Sequence, residues 1–250
     1  YTGYETLDVS PSDVLTSATF DYKQMAGNVT ISGLEQIQNS GTEAVINLLE
    51  SRIGVLEKTM SNTLATSLYS DGTGSDGKEV GGLQLLVADA GTGTVGGINS
   101  STFTFFQNAQ TTATSSAFST TNIQADMNTI YLSLVRGSDS PDLIMADTNS
   151  YKSFLGSLQA IQRVTSDRVA TSGFTSVQYL NSDVIFDDAC PANKMYFLNT
   201  DYLRLEVAAN RNFVPGEAKM SVNQDAMVTP MFWSGNLTCS NRALQGVIHV

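Results

Sequence analysis

A glycine-rich stretch is the clearest candidate for cofactor chemistry. Gly91-Thr92-Gly93-Thr94-Val95-Gly96 has the GxGxxG spacing of dinucleotide-binding loops and follows an apolar run, 83–88, that predicts a strand. Such a loop binds pyrophosphate only where a helix begins directly after it, because the helix N-terminus attracts the phosphates. Residues 97–104 predict a loop or strand instead, and the next acid after Asp89 is Asp126, which is too distant to bind the ribose. We therefore predict a flexible loop and no cofactor.

A second glycine-rich stretch contains acids that could bind calcium. An EF-hand loop needs oxygen ligands at positions 1, 3 and 5 and glycine at position 6. Counted from Asp71, positions 3 and 5 are Thr73 and Ser75, while Asp76 and Glu79 are out of register. We predict a turn without a metal ion.

Other reactive side chains are few. The single histidine, His249, would be the only possible base of a catalytic triad, and it lies at a terminus of the kind that usually frays. Cys190 and Cys239 form no CxxC motif, so we expect two buried free thiols, with one disulfide as the alternative. The acid pair Asp187-Asp188 predicts a solvated turn. We predict no catalytic or metal site, and a protein that is not an enzyme.

Composition sets broad limits on function. The chain has 250 residues, 13 of them basic and 24 acidic, which gives a net charge of −11. This balance argues against a protein that binds nucleic acid through a broad basic face. Charged residues make up 15% of the chain, against roughly 25% in a typical domain, and serine and threonine are abundant instead. Because no apolar run approaches the ~20 residues of a membrane span, we predict no membrane segment.

The first residues predict a long two-stranded excursion. Residues 2–9 and 14–22 have strand character on either side of a turn at 10–13, and 29–31 continue the second strand. Both faces mix polar and apolar side chains. Because a lone hairpin is marginally stable in water, this one needs a partner to lie on.

A long amphipathic helix is predicted from Thr42 to Tyr69. Its apolar residues recur every three or four positions and form a single stripe: Val45, Leu49, Ile53, Leu56, Met60, Leu64 and Leu68. Such a helix would be ~40 Å long, so we expect one end to reach beyond the local core.

The rest of the chain alternates helices and strands without a regular repeat. Apolar spacing predicts helices at 123–134 and 151–161, the second capped by Asp147 or Thr148. Strands are predicted at 102–106, 142–146, 177–186, 194–199, 202–207, 226–239 and 243–250. The predicted fold class is α+β.

This order of parts resembles the major capsid protein of tailed bacteriophages, which has the HK97-like fold. Tyr4 to Ser32 resembles the extended E-loop of that family, and Thr42 to Tyr69 resembles its spine helix. Asp71-Gly72-Thr73-Gly74 through Gly81-Gly82-Leu83 is similar to the turn that follows the helix. Met231-Phe232-Trp233-Ser234-Gly235-Asn236-Leu237 through Ile248 is similar to the returning strand and the last strand.

The resemblance implies three regions. Residues 1–32 would be an E-loop over a neighbouring subunit, and 33–90 with 218–243 would form a peripheral domain. Residues 91–217 and 244–250 would form an axial domain around five- and six-fold centres. The family also has an N-terminal arm before the E-loop, which would lie ahead of the first residue given.

The resemblance also implies contacts between the E-loop and another subunit. The residues expected to make them are Tyr4, Leu7, Val9, Val14, Phe20, Tyr22 and Lys23. Some relatives link an E-loop lysine covalently to a neighbour's asparagine. Lys23 is the only lysine before Lys58 and matches no motif, so we expect a solvated strand lysine.

The function implied is a structural shell protein of the virion. It would assemble with itself into pentamers and hexamers in the host cytoplasm, with scaffolding, portal and decoration proteins as further partners. The shell would enclose double-stranded DNA without reading its sequence and without a membrane. Two alternatives stay open: an encapsulin-like nanocompartment shell, and an extracellular adhesin or fibre segment, which the serine and threonine content and low charge suggest.

Overall fold

The computed structural model describes residues 3, 16–38, 44–159 and 177–250. Its helices are α1 (Gly33–Gln38), α2 (Ala44–Ser67), α3 (Gly74–Gly77), α4 (Leu83–Leu86), α5 (Ile123–Leu134) and α6 (Thr148–Gln159). Its strands are β1 (Lys23–Ser32), β2 (Thr94–Val95), β3 (Ile98–Asn99), β4 (Ala109–Thr112), β5 (Leu143–Ala146), β6 (Val177–Tyr179), β7 (Ser182–Phe186), β8 (Lys194–Leu198), β9 (Leu203–Val207), β10 (Val214–Pro215), β11 (Lys219–Met220), β12 (Ala226–Cys239) and β13 (Gly246–His249). The predicted α+β class is confirmed.

The first sheet is built around β12. One edge of β12 pairs antiparallel with the whole of β1, so that Lys23 lies opposite Gly235 and Ser32 opposite Ala226. The other edge pairs in turn with β9, β10 and β11, all antiparallel. This sheet therefore joins strands from opposite ends of the sequence.

Helix α2 packs on one face of this sheet. Because side chains alternate along a strand, Met25, Gly27, Val29 and Ile31 share the face of β1 toward the helix. A Cβ at position 27 would lie 2.6 Å from Leu56 Cδ1, so a larger residue there would require the Leu56 side chain to move. Gly27 thus allows the helix to approach the strand closely.

The predicted helical stripe is only partly covered. The buried core between α2 and the sheet consists of Met60, Leu64, Val80, Met231 and Trp233. Toward the helix N-terminus, Leu49 and Ile53 are only half-buried and Val55 is 65% exposed. The helix therefore reaches beyond the core of its own chain, as its length predicted.

The second sheet has the order β4-β13-β8-β5-β7-β6 and is covered on both faces. Met195 and Phe197 of β8 pack with α5 and α6, whereas Tyr196 and Leu198 pack with α4 and Tyr69 on the opposite face. Burial on both faces explains why β8 is an almost continuous apolar run. The last strand, β13, lies inside the sheet between β4 and β8.

Two predicted strands are wrong. Residues 83–88 contain the short helix α4, in which Leu83 and Leu86 are buried three positions apart. Residues 104–106 form a 3₁₀ turn in which Phe106 is buried. A short apolar run does not distinguish a buried strand from a buried helical turn, because both bury consecutive side chains.

The structure corrects the expectation of an unsupported excursion for its last ten residues, 23–32. Residues 23–32 pair with β12 of the same chain and bury Val29 and Ile31. Residues 16–22 have no regular structure, and 4–15 lie outside the described residues. The sequence did not predict that alternate residues of 23–32 face the core, because Gly27 interrupts the alternation of apolar side chains.

Candidate functional site

The segment 16–22 precedes β1. A glycine turn holds this segment, which we call the base, to the rest of the chain. The backbone N–H of Thr19 donates to the carbonyl of Gly96 at 3.0 Å. A Cβ at Gly96 would lie 2.7 Å from Ala18 Cβ, so this approach requires glycine. Ala18 and Phe20 pack against the core on the α4 side of the second sheet.

The same turn decides the role of the GxGxxG stretch. Strands β2 and β3 pair directly, with Val95 opposite Ile98, and Gly96 and Gly97 join them with φ of 58° and 80°. Positive φ at both turn residues is the geometry that two-residue hairpins favour. No helix begins after the motif, as predicted, but the expected flexible loop is a hairpin that seats the 16–22 segment.

Asn236 on β12 joins this base to the glycine-rich turn after α2. Its side-chain oxygen accepts a hydrogen bond from the N–H of Gly81 at 3.0 Å, and its amide nitrogen donates to the carbonyl of Asp21 at 2.8 Å. The residue is 7% exposed. Nearby, Lys23 Nζ donates to the carbonyl of Gly77 at 2.6 Å. Both side chains tie the outgoing segment to its own chain.

Replacing Asn236 with alanine is expected to loosen this base. Both hydrogen bonds are lost, and each contributes about 1 kcal/mol, so local opening should become roughly thirtyfold more frequent. Hydrogen exchange measured at the amides of Thr19 and Gly81 should accelerate, whereas the amide of Ile248 in the second sheet serves as an unaffected control. Unchanged exchange at Thr19 would contradict the role given to Asn236.

The predicted contact residues separate into three groups. Tyr4, Leu7, Val9 and Val14 lie outside the described residues. Phe20 is half-buried against its own chain, and Tyr22 is 62% exposed. Lys23 is part-buried and bonded to Gly77, so the expectation of a solvated lysine is wrong. Of the described members, Tyr22 presents the most free surface to another molecule.

A second feature fixes α1 against α2. Ser32 and Glu35 form a reciprocal capping box: Ser32 N–H donates to the Glu35 carboxylate at 3.1 Å, and Glu35 N–H donates to Ser32 Oγ at 3.3 Å. Arg52 of α2 binds the same carboxylate through both terminal nitrogens, at 2.7 and 3.1 Å. Arg52 also donates to the carbonyl of Thr30 at 2.6 Å. One carboxylate therefore connects β1, α1 and α2.

The attachment of α1 is expected to weaken in acid. Hydrogen bonds from Arg52, then from the Ser32 backbone, lower the pKa of Glu35 to about 2 from its ordinary value near 4.5. A lowered folded-state pKa stabilises the fold above the ordinary value, and this contribution is lost as pH falls from about 4.5 through about 2. Carboxyl NMR titration should find the low pKa in the wild type and a return toward the ordinary value in Arg52→Gln. A normal Glu35 titration in the wild type would contradict the pairing.

Among the remaining reactive groups, the two thiols are buried, and Tyr69, Asp187 and His249 each contact another side chain of the chain. Tyr69 donates to Asp187 at 2.7 Å, which corrects the expectation that this acid is merely solvated. The predicted free thiols are confirmed, and burial raises the pKa of Cys190 to about 12 and of Cys239 to about 11. His249 Nε2 lies 3.3 Å from Gln110 Oε1. Across the described residues, no group of three metal-ligating side chains occurs and no helix is long and apolar enough to span a membrane.

The most deeply buried charge belongs to Arg242. Its guanidinium is fully buried and donates to the carbonyls of Leu86 (2.6 Å) and Phe106 (3.3 Å), to Ser100 Oγ (3.2 Å) and to Asn108 Oδ1 (2.9 Å). No carboxylate of the described chain pairs with it. No local sequence pattern indicates this role, because every partner lies more than 130 positions away. These hydrogen bonds hold the 86–108 segment against the turn that precedes β13.

Comparisons with known proteins find similarity in structure. No family model and no curated protein matches the sequence. The capsid asymmetric unit of cyanophage A-1(L) superposes with a TM-score of 0.70 at 17% identity, over 92% of this chain and 76% of that one. The capsid of Myoviridae phage XM1 superposes with a TM-score of 0.58 at 8% identity, over 98% and 81%.

A third match is to a shell of another kind. The encapsulin complex of Synechococcus elongatus PCC 7942 superposes with a TM-score of 0.63 at 11% identity, over 91% of this chain and 73% of that one. Identities this low establish the fold alone, and they extend over nearly the whole chain in each case. The resemblance drawn from the order of elements is thereby confirmed: this chain has the HK97-like fold of capsid shell proteins.

Proposed function

We propose that the chain is the subunit of an icosahedral phage head, which self-assembles and encloses double-stranded DNA. The match to the cyanophage capsid carries the proposal, because it covers 92% of the chain with a TM-score of 0.70 and so involves the whole architecture. Shells of this kind depend on many weak contacts between copies. Closed symmetry multiplies modest pairwise energies into a stable particle.

The exposed surface supports a subunit that is covered by other copies. Several large apolar side chains of the described chain face solvent: Leu34 is 64% exposed, Ile37 70%, Leu132 69%, Met220 72% and Val222 98%. Scattered exposed apolar residues are ordinary in monomers, whereas grouped ones mark contact surfaces. Leu34 and Ile37 lie on α1, Met220 lies on β11 and Val222 follows β11, so four of the five are at one end of the first sheet.

The division into regions stays a prediction, with two boundaries moved. We propose that the E-loop is confined to 1–22, since 23–32 belong to the first sheet, and that 16–22 form its attached base. The predicted boundary at 217 would separate β9 and β10 from β12, with which they pair. We therefore place the start of the second peripheral segment near 203.

The partners of the shell are part of the same proposal. Pentamers and hexamers of this chain would assemble in the host cytoplasm with scaffolding, portal and decoration proteins, and the product would be the virion capsid. With a net charge of −11, an inner wall would repel phosphate and leave the enclosed DNA mobile. The role requires no catalytic residue, cofactor or membrane.

A nanocompartment shell is the second candidate, because an encapsulin also shares the fold. The content of native particles distinguishes the two: nuclease-protected double-stranded DNA indicates a phage head, and an enclosed cargo enzyme indicates a nanocompartment. The adhesin alternative is disfavoured by α2, a helix of 24 residues.

Electron microscopy of the purified protein tests shell formation. We expect closed particles of uniform size, either from the protein alone or after co-expression with a scaffolding partner. A chain that stays strictly monomeric under both conditions would overturn the proposal.

A further inference from the structure

Two buried side-chain oxygen atoms of the described chain have no hydrogen-bond partner within it: the hydroxyl of Tyr196 and Oδ1 of Asp89. Tyr196 is fully buried. The Asp89 side chain is 41% exposed, but its Oδ1 is shielded from solvent. Buried polar groups in folded proteins are almost always hydrogen-bonded, because an unpaired one has lost its contacts with water and gained nothing in return. Two such atoms in one part of the core therefore indicate a partner that does not belong to the chain.

The two atoms lie on the same face of the second sheet. Lys194 and Tyr196 are two positions apart on β8, so their side chains share one face. Lys194 Nζ binds Asp89 Oδ2 at 2.6 Å, which places the Asp89 carboxylate over that face, beside Tyr196. Burial raises the pKa of the Tyr196 hydroxyl, and Cys190 and Asp89 raise it further, as expected for a hydroxyl near a carboxylate. The two unpaired atoms are therefore close to each other, yet no hydrogen bond joins them.

The chemistry of the two atoms decides which ligand can join them. The tyrosine hydroxyl has a proton to donate, whereas a carboxylate oxygen only accepts, so the ligand must accept one hydrogen bond and donate another. A metal ion cannot accept the hydroxyl proton, and Lys194 already neutralises the Asp89 carboxylate. Across the part of the chain that the structure describes, no three metal-ligating side chains form a group. Water both accepts and donates, and it is small enough for an enclosed position.

We propose that one ordered water molecule bridges the Tyr196 hydroxyl and Asp89 Oδ1. The hydroxyl donates to the water oxygen, and the water donates to Oδ1. Because Lys194 Nζ binds Oδ2, both oxygens of the carboxylate then have a donor. The water ties the segment that follows α4, which contains Asp89, to β8, an interior strand of the second sheet. This inference does not depend on the proposed shell function, since it concerns the single chain.

Replacing Tyr196 with phenylalanine tests whether the hydroxyl has a partner. Loss of a water-mediated hydrogen bond should raise the unfolding equilibrium constant of the unassembled subunit about fivefold. A hydroxyl buried without any partner predicts the opposite sign, because its removal relieves the cost of desolvation. In chemical denaturation, Tyr69→Phe, which loses the 2.7 Å bond to Asp187, is the positive control, and Tyr22→Phe, at an exposed position, is the neutral one. A constant that is unchanged or lowered in Tyr196→Phe would overturn the site.

A double-mutant cycle with Asp89→Ala tests the link between the two atoms. Without the carboxylate the water loses its second partner, so Tyr196→Phe should now change the unfolding constant by less than about twofold. Lys194 is left unpaired in both members of this comparison, so the cost of its lost partner cancels. An effect of Tyr196→Phe that is as large as in the wild-type background would show that the hydroxyl binds elsewhere, which overturns the bridge.

A density map that resolves ordered water, from crystals of the subunit, identifies the ligand directly. We expect a water oxygen roughly 2.6–3.2 Å from both the Tyr196 hydroxyl and Asp89 Oδ1. In Tyr196→Phe crystals that density should weaken or disappear. A direct hydrogen bond between the two side chains, or a water bound to only one of them, would overturn the bridge.

Discussion

Replacing Arg242 with methionine is expected to lower the free energy of unfolding by about 3 kcal/mol. Methionine fills much of the same space, so the change mainly removes the guanidinium donors. It relieves the cost of burying a charge, but it leaves the carbonyls of Leu86 and Phe106, Ser100 Oγ and Asn108 Oδ1 without this donor inside the protein. Asn108 Oδ1 keeps its hydrogen bond from the backbone N–H of Ala88, but each buried acceptor left without any donor costs about 1–3 kcal/mol, so this cost outweighs the relief.

Chemical denaturation of the unassembled subunit measures this effect, because assembly would add the energy of contacts between copies. The matched control is Arg204→Met, since Arg204 on β9 is exposed and should change stability by less than about 0.5 kcal/mol. An Arg242→Met variant as stable as the wild type would show that the buried donors contribute nothing net to the fold.

Replacing Gly82 with alanine is expected to cost about 3 kcal/mol of stability. A Cβ at this position would lie 2.5 Å from the carbonyl oxygen of Leu68 and 2.6 Å from the backbone nitrogen of Ser70. Neither atom belongs to a flexible side chain, so the end of α2 and the start of α4 must separate. That separation strains the 2.7 Å hydrogen bond from Leu83 N–H to the Leu68 carbonyl.

Gly54→Ala, in the middle of α2, is the opposite control. A Cβ at Gly54 would meet nothing within 4 Å, so alanine should stabilise α2 by about 0.5–1 kcal/mol through its helix propensity. Both variants are compared with the wild type in one denaturation series. If Gly82→Ala is as stable as Gly54→Ala, the close junction between α2 and α4 does not constrain the chain.

The parts of the fold that could be predicted are those with a regular pattern over many residues. The stripe of α2 recurs over more than twenty positions, and Asp147 was identified among the possible caps of α6, where it accepts from the backbone N–H of Ser150 at 2.9 Å. The strand predicted at 83–88 was wrong because a stretch with five apolar residues out of six fits a strand and a helical turn equally well. Gly96-Gly97 between Val95 and Ile98 was a hairpin signal that the GxGxxG spacing obscured.

The candidate site was less predictable, because its side chains act over long sequence distances. Asn236 binds Asp21 from 215 positions away, and nothing in the neighbourhood of either residue signals the pairing. Likewise, the residues next to Arg242 in the sequence do not distinguish it from an ordinary surface arginine. The partner of Lys23 is the backbone carbonyl of Gly77. Every residue has such a carbonyl, so the sequence does not indicate this contact, and a solvated lysine was predicted.

The late position of β12 and β13 in the sequence has a consequence for biosynthesis. Strand β1 emerges from the ribosome early, but its only strand partner in the described chain is β12, roughly 200 residues later. At about 5–20 residues per second, β1 waits on the order of 10–40 seconds for that partner. The second sheet is likewise incomplete until β13 is made, since β13 lies between β4 and β8. Nascent chains therefore lack both finished sheets, which delays the subunit's capacity to associate until translation has passed residue 249.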